Sequence, residues 1–291
     1  MTTDHTLPRL VRVFVGADGR GGNPAPIVLD ASAMSDDAMR QVAAQAGHES
    51  GFVVPVEDGS AADFRFRFFV PLHEMEMCGH ATVGALWCLR RAGLWCASQA
   101  TVQTRSGLVR GFVRDPGSAH ERIEITQPVG RVQALEAAET ALVADALRVP
   151  AAHLLDLPML NASTSRVKTL VGIRSPALLD ALRPDFTRMQ AVCEAIGSTG
   201  LYPFAVDEVA AGVFHARQFP RASGYPEDAA TGIAAAALLF GLRELGLVAV
   251  DAAGITVCQG RAMGSPSEIR VRFELDARGE PVGCFLGGTV R

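Results

Sequence analysis

Residues 75–86 read MEMCGHATVGAL, and a thiol and an imidazole crowd the front of an apolar run. Cys78 offers a nucleophile or base when deprotonated, and His80 offers the one side chain that titrates near neutral pH when unperturbed. Two carboxylates have similar settings. Glu49 follows AAQAGH just ahead of an apolar strand, and Asp228, in YPEDAATG, precedes a second apolar run. Taken singly, each has an ordinary reading: His80 as a solvated or capping residue at a helix start, Glu49 as a loop carboxylate, Asp228 as an N-cap or first-turn acid favoured by the helix dipole by ~0.3–1 kcal/mol. A His and an acid at matching helix starts of two similar halves, meeting across a water-poor cleft, would be acid–base catalysts instead.

No cofactor motif competes with that chemistry. There is no GxGxxG between a strand and a helix and no GxxxxGK[ST]; GADGRGGNP has the glycines with neither spacing. The six cysteines include no CxxC pair and no metal-like Cys/His spacing, so neither a cofactor nor a metal is expected. A two-base racemase of the cysteine type needs a second thiol, and in a duplicated chain it would stand at the start of the second apolar helix. The text there is EDAATG, with Ala229 and Ala230, while Cys193 and Cys258 lie far from it in sequence. Cys78 is therefore read as a small, soft lining of the pocket. An amino-acid racemase or epimerase using Cys78, and a non-catalytic small-molecule-binding protein, are the alternatives.

The elements that must position these groups follow from pattern. With 291 residues, 48% hydrophobic and 20% charged, at a net charge of −4, the chain is an ordinary globular one with room for two domains. Mild acidity argues against a nucleic-acid surface, and no apolar run reaches the length of a membrane span. The N-terminal text lacks a long apolar signal region, and the thiols suit a reducing cytoplasm. RLVRVFVG, APIVLD, GFVVPV and DFRFRFFVP read as strands, and SAMSDDAMRQVAAQAG as a helix capped by Ser35 and stopped at Gly47. Further strands are expected at ATVQTRSGLVRGFVRD, ERIEITQP, VKTLVGI, GLYPFAVD and GVFHARQFP, with a short helix at SPALLDAL. Cys88 and Cys96 fall in apolar or helical text.

The halves resemble each other. GFVVP at Gly51 matches GLYPF at Gly200, RFFVP at Arg67 matches RQFP at Arg217, and LRRAGL at Leu89 matches LRELGL at Leu242, at offsets of 149, 150 and 153. ATVGALWCL and GIAAAALLF have no polar face, so each helix must be wrapped on all sides by strands. Their small first residues leave the N-terminal N–H groups accessible to an anion. Two similar α+β domains are expected, residues 1–127 with a possible contribution from 283–291, and residues 128–282, with the active site in the cleft between them.

These motifs resemble the PhzF-like isomerases, a family named for phenazine biosynthesis. VFVGADGRGGNPAPIVLD is similar to the family's opening, GHESGFVVP to its S-E-T-x-F stretch, CGHATVGA to G-H-[PA]-T-x-[GA], YPEDAATGIAAAAL to E-D-P-A-T-G-S-A, QGRAMGSPSEI to Q-G-x-x-M-G-R-P-S, and GGTV to the closing segment. The resemblance implies a diaminopimelate epimerase-like fold of two pseudo-symmetric domains, each a strand-rich barrel around a central apolar helix. It implies a cofactor-independent isomerase acting on a small carboxylate-bearing metabolite. Glu49 would carry the proton, supported by His80 and Asp228, with Asn23, Cys78, Gly79, Gly232 and Ile233 lining the substrate. It also implies a homodimer. Departures from the family text are Ile233 for Ser, which removes a hydroxyl while keeping the backbone N–H, Ala229 for Pro, Ser265 for Arg, and His48 and Ser50 beside Glu49.

Overall fold

A helix without a polar face has to be enclosed, and two helices of thirteen residues here are. In the computed structural model, which describes residues 4–57, 59–118, 121–207 and 211–291, the chain divides into two units: Met1–Thr126 with Gly287–Arg291, and Gln127–Leu286.

The first unit runs β1 (Arg9–Val13), β2 (Asn23–Val28), α1 (Asp36–Ala46), β3 (Ser50–Val54), β4 (Phe64–Phe69), β5 (Glu74–Met75), α2 (Gly79–Arg91), β6 (Gln99–Thr104), β7 (Gly107–Arg114) and β8 (Arg122–Pro128), whose last two residues pass the unit boundary. β1 pairs antiparallel with β2, β2 parallel with β3, β3 antiparallel with β4, β4 parallel with β6, and β6 and β7 continue antiparallel to β8. Residues 287–291 complete the wrapper: Val290 bridges Val13, and Arg12 and Arg291 exchange backbone hydrogen bonds. Inside it, ten of the thirteen α2 residues are buried, so this helix is core throughout rather than amphipathic. α1 has the expected ends. Ser35 accepts a hydrogen bond from the Ala38 N–H, and Gly47 closes the helix in the left-handed region at φ 69°. Its Met39 and Ala43 pack with Phe52 and Phe69.

The second unit runs β9 (Arg131–Ala134), α3 (Ala137–Ala146), β10 (Leu160–Ser163), β11 (Val167–Gly172), α4 (Pro176–Ala181), α5 (Met189–Ala195), β12 (Gly200–Val206), β13 (Val213–Ala216), β14 (Phe219–Pro220), α6 (Gly232–Glu244), β15 (Ile255–Gln259), β16 (Ser267–Leu275) and β17 (Pro281–Gly288). The pairing order of the first unit recurs: β10 antiparallel to β11, β11 parallel to β12, β12 antiparallel to β13, β13 parallel to β15, β15 antiparallel to β16. α6 is buried as α2 is. Its Gly241 lies so close to β11 that a Cβ there would fall 2.1 Å from Leu170 Cδ1, which is why small residues crowd this helix.

Three expectations need correction. GVFHARQFP is two short strands, because the Arg217 N–H turns to the Pro203 carbonyl and interrupts the ladder. Cys96 is exposed beyond the end of α2, whereas Cys88 is buried within it. α3 and the strands at 131–134 and 160–163 fall in text that the strand and helix patterns above do not claim. A capping box between Glu136 and Glu139 starts that helix.

Candidate active site

Each unit builds the approach to its buried helix with the same device. In the first, Arg67 makes a two-pronged ion pair with Glu74 (Nε–Oε1 2.8 Å, Nη2–Oε2 2.8 Å) and lies 5.0 Å from the Phe69 ring centroid. In the second, Arg217 grips Glu227 (Nε–Oε1 2.9 Å, Nη2–Oε2 2.7 Å) and lies 4.9 Å from the Phe219 centroid. Both clamps fix the segment that delivers the chain into the helix N-terminus. The residue before each helix is extended: Cys78 at φ −135° and Thr231 at φ −123°. Neither side chain caps its helix. The thiol and the hydroxyl are thereby released to other partners, and the first N–H groups of each helix are left without an intrahelical acceptor.

Cys78, freed from capping, meets Glu49. The thiol donates to Glu49 Oε2 over 3.0 Å, and its sulfur lies 3.4 Å from His80 Nδ1, which is 3.6 Å from the same carboxylate oxygen. Glu49 sits on the short link between α1 and β3 and keeps 27% of its side chain exposed, against 8% for His80. With the thiol donating to the carboxylate, the sulfur is left to accept from an Nδ1–H tautomer of His80. The imidazole Nε2 is buried and has no hydrogen-bond partner among the described residues. The cluster is therefore a hydrogen-bonded line from imidazole to thiol to a carboxylate that reaches solvent. Its donor atoms lie within 4.8 Å of one another, and Glu, Cys and His are all ligand types for a divalent metal such as zinc.

In the second unit the corresponding position is organised differently. Thr231 Oγ1 donates to Asp228 Oδ2 at 2.5 Å, and Gln259 Nε2 donates to the Asp228 carbonyl (2.6 Å) and to Thr231 Oγ1 (3.1 Å). Gln259 Oε1 accepts from the Tyr202 hydroxyl (2.9 Å) and the Thr231 N–H (3.2 Å). Burial drives the Tyr202 phenol well above its usual range, with the Asp228 charge adding to the effect, so it serves as a neutral donor. Asp228 is held by neighbours on three sides.

The two helix starts correct the sequence reading of which residues correspond. α2 and α6 begin 153 residues apart, so Cys78 corresponds to Thr231, Gly79 to Gly232 and His80 to Ile233. Asp228 stands against Met75, not His80, and is neither an N-cap nor a first-turn acid. The position corresponding to Cys78 carries the Thr231 hydroxyl rather than Ala229 or Ala230. Counting back from the matched glycines sets Glu49 against Ser198, which is buried and bonds the carbonyl of Gly200. Of the expected site residues, Glu49, Cys78, Gly79 and His80 come together at the start of α2. Asp228, Gly232 and Ile233 come together at the start of α6, and Asn23 is the first residue of β2. Thr231, Tyr202 and Gln259 were missed. Thr231 and Gln259 had sequence signals, in the YPEDAATG and QGRAMG motifs, and Tyr202 falls in the GLYPF landmark of the repeat.

This duplicated strand-and-helix architecture has close counterparts. Residues 11–285 match the family model described as phenazine biosynthesis-like protein, PhzC-PhzF. An "Uncharacterized isomerase" of Deinococcus radiodurans is 33% identical over 288 residues, 96% of this chain and 89% of that protein. The trans-2,3-dihydro-3-hydroxyanthranilate isomerase of Pseudomonas aeruginosa is 27% identical over 258 residues, 87% of this chain and 85% of that protein. The crystal structure of the Bacillus anthracis phenazine biosynthesis protein of the PhzF family superposes with a TM-score of 0.84 at 25% identity, covering 97% of this chain and 95% of that one. More distant racemase and epimerase structures share the fold alone. The chain belongs to the phenazine biosynthesis-like (PhzC-PhzF) family and is an isomerase with the diaminopimelate epimerase-like fold.

Proposed function

We propose that the protein is a cofactor-independent isomerase that moves a proton within a small carboxylate-bearing metabolite, with Glu49 as the carrier. The observation that supports this reading best is the placement of Glu49: a carboxylate open to solvent at one side and hydrogen-bonded at the other to a thiol that itself meets an imidazole. In the base form it takes a proton from an acidic C–H, leaving the electron pair delocalised into the substrate's unsaturated or carbonyl system. As the resulting acid it returns the proton at a second carbon, so nothing is oxidised and no co-reactant is needed. Asp228 and His80 hold polar groups of the substrate. The unpaired N–H groups at Gly232 and Ile233 bind its carboxylate, as helix N-termini do, and Ile233 offers a backbone donor but no hydroxyl. Cys78, Gly79 and Asn23 complete the lining.

The test is solvent exchange. Candidate cyclic and β-hydroxy amino acids and related carboxylates, incubated with the protein in D₂O, should gain deuterium in the wild type. Glu49→Gln should slow that gain by ~10²–10⁴-fold. Full turnover by the purified variant on a confirmed substrate rules Glu49 out as the carrier. A second reading is supported by one contact: the thiol is 3.0 Å from the Glu49 carboxylate, so Cys78 has an acceptor for its proton and, once deprotonated, is a base for an α-proton. Epimerisation through Cys78 predicts α-deuteration that Cys78→Ser abolishes while Glu49→Gln only slows it. A particle of twice the chain mass by light scattering is the outcome expected for a homodimer.

A further inference from the structure

Gln218 is 1% exposed, and neither its side-chain oxygen nor its nitrogen has a hydrogen-bond partner among the described residues. Leaving a buried amide unpaired is costly, so this residue is a poor choice for a purely structural position. The duplication shows what a structural choice looks like. In the first unit the same place in the ladder is Phe68, paired with Met75, and both are buried and apolar. In the second unit it is Gln218, bridged antiparallel to Asp228, whose N–H donates to the Gln218 carbonyl over 3.1 Å. Residues opposite one another in an antiparallel pair point to the same face. The Gln218 carboxamide therefore shares a face with the Asp228 carboxylate, which is partly open to solvent. Space for the amide is kept by Gly200, where an added Cβ would fall 2.3 Å from Gln218 Nε2.

We propose that Gln218 is a substrate-binding, specificity-determining residue whose carboxamide recognises a hydroxyl on the substrate. This rests on reading the α6 start as part of the substrate site. A hydroxyl is the simplest single-atom group that both donates and accepts. It accepts from Gln218 Nε2 while its proton goes to the amide oxygen, so one group pairs both ends of the amide. A carboxylate, which only accepts, and an ammonium, which only donates, each leave one end of the amide unpaired. The preferred substrate is then a hydroxylated carboxylate rather than its deoxy analogue.

Ligand binding, read by NMR titration without turnover, tests this with matched pairs: trans-4-hydroxy-L-proline against L-proline, L-serine against L-alanine, and 3-hydroxybutanoate against butanoate. The wild type should bind the hydroxylated member of at least one pair about 5- to 10-fold more tightly. Gln218→Met, the apolar near-isostere, should reduce that preference below about 2-fold at an unchanged or raised Tm, because it removes a buried unpaired group. If Gln218→Met does not fold, Gln218→Leu, which removes both polar atoms, should lose the preference in its place. No preference in any pair, a preference that survives the substitution, or a Tm lowered by more than about 4 °C in Gln218→Met, as for an amide held by internal hydrogen bonds, overturns the proposal. Glu49→Gln should lose solvent exchange and keep the preference, so failure of the proton carrier and failure of the hydroxyl subsite read out separately.

Discussion

Cys78 is the residue whose meaning changed most between sequence and structure. The sequence made it a pocket lining because no second cysteine was in place, and that argument still holds: its counterpart is a threonine. What the sequence could not show is that the chain does not use the thiol as a helix cap, which turns the sulfur toward Glu49. Glu49 and His80 were legible because motif spacing fixes them next to elements that pattern defines. Gln218 was not, because one polar residue in a strand says nothing until its unpaired amide is seen. Comparing Gln218 with Phe68 at the repeat offset would have flagged it. The other thiols make a chemical prediction. Burial pushes Cys88 up to about 12 and Cys193 and Cys258 up to about 11, and drives Cys284 higher still. Thiolate is the reactive form, so iodoacetamide at neutral pH should label exposed Cys96 first. Cys88, Cys193 and Cys284 should remain unlabelled until denaturant is added, as peptide mass mapping would show.

At the scale of elements, the long apolar helices and the first-unit strands were readable because a helix without a polar face has one packing solution and alternating Phe and Arg has one periodicity. Short strands such as 74–75 and 219–220 were not, since two residues carry no period. Their positions are set by the arginine clamps. Arg217 also donates to the carbonyls of Leu179 and Leu182 at the end of α4, so it ties three segments together. Removing it leaves Glu227, itself only 10% exposed, without its partner. Arg217→Met should therefore lower stability by about 3–5 kcal/mol in urea unfolding. Gly241→Val tests the close approach of α6 to β11. With Leu170 already where the new side chain would go, overpacking should cost about 1–3 kcal/mol.

For the whole molecule, the net charge of −4 matters less than where its carboxylates are held. The hydrogen bonds and charge of Arg67 keep the Glu74 carboxyl below its ordinary value of 4.5, and Arg105 adds to this. Because the folded value is the lower one, Glu74 contributes stability that is fully present above pH 4.5 and is lost as pH falls below it, through the lowered folded value. Glu74→Gln should be less stable than wild type at neutral pH and show a shallower fall in Tm between pH 5 and about 3. The duplication itself was visible as three landmarks at nearly one offset, and a contribution of the C-terminal segment to the first unit was expected over 283–291, where the structure has residues 287–291 make it. That contribution has a consequence for the order of events on the ribosome. At ~5–20 residues per second, Glu49, Cys78 and His80 emerge many seconds before residues 287–291, whose Arg291 locks onto Arg12. The half bearing the acid and the thiol is thus made first and closed last, and the nascent chain carries an unsealed strand edge while the whole of 127–286 is being translated.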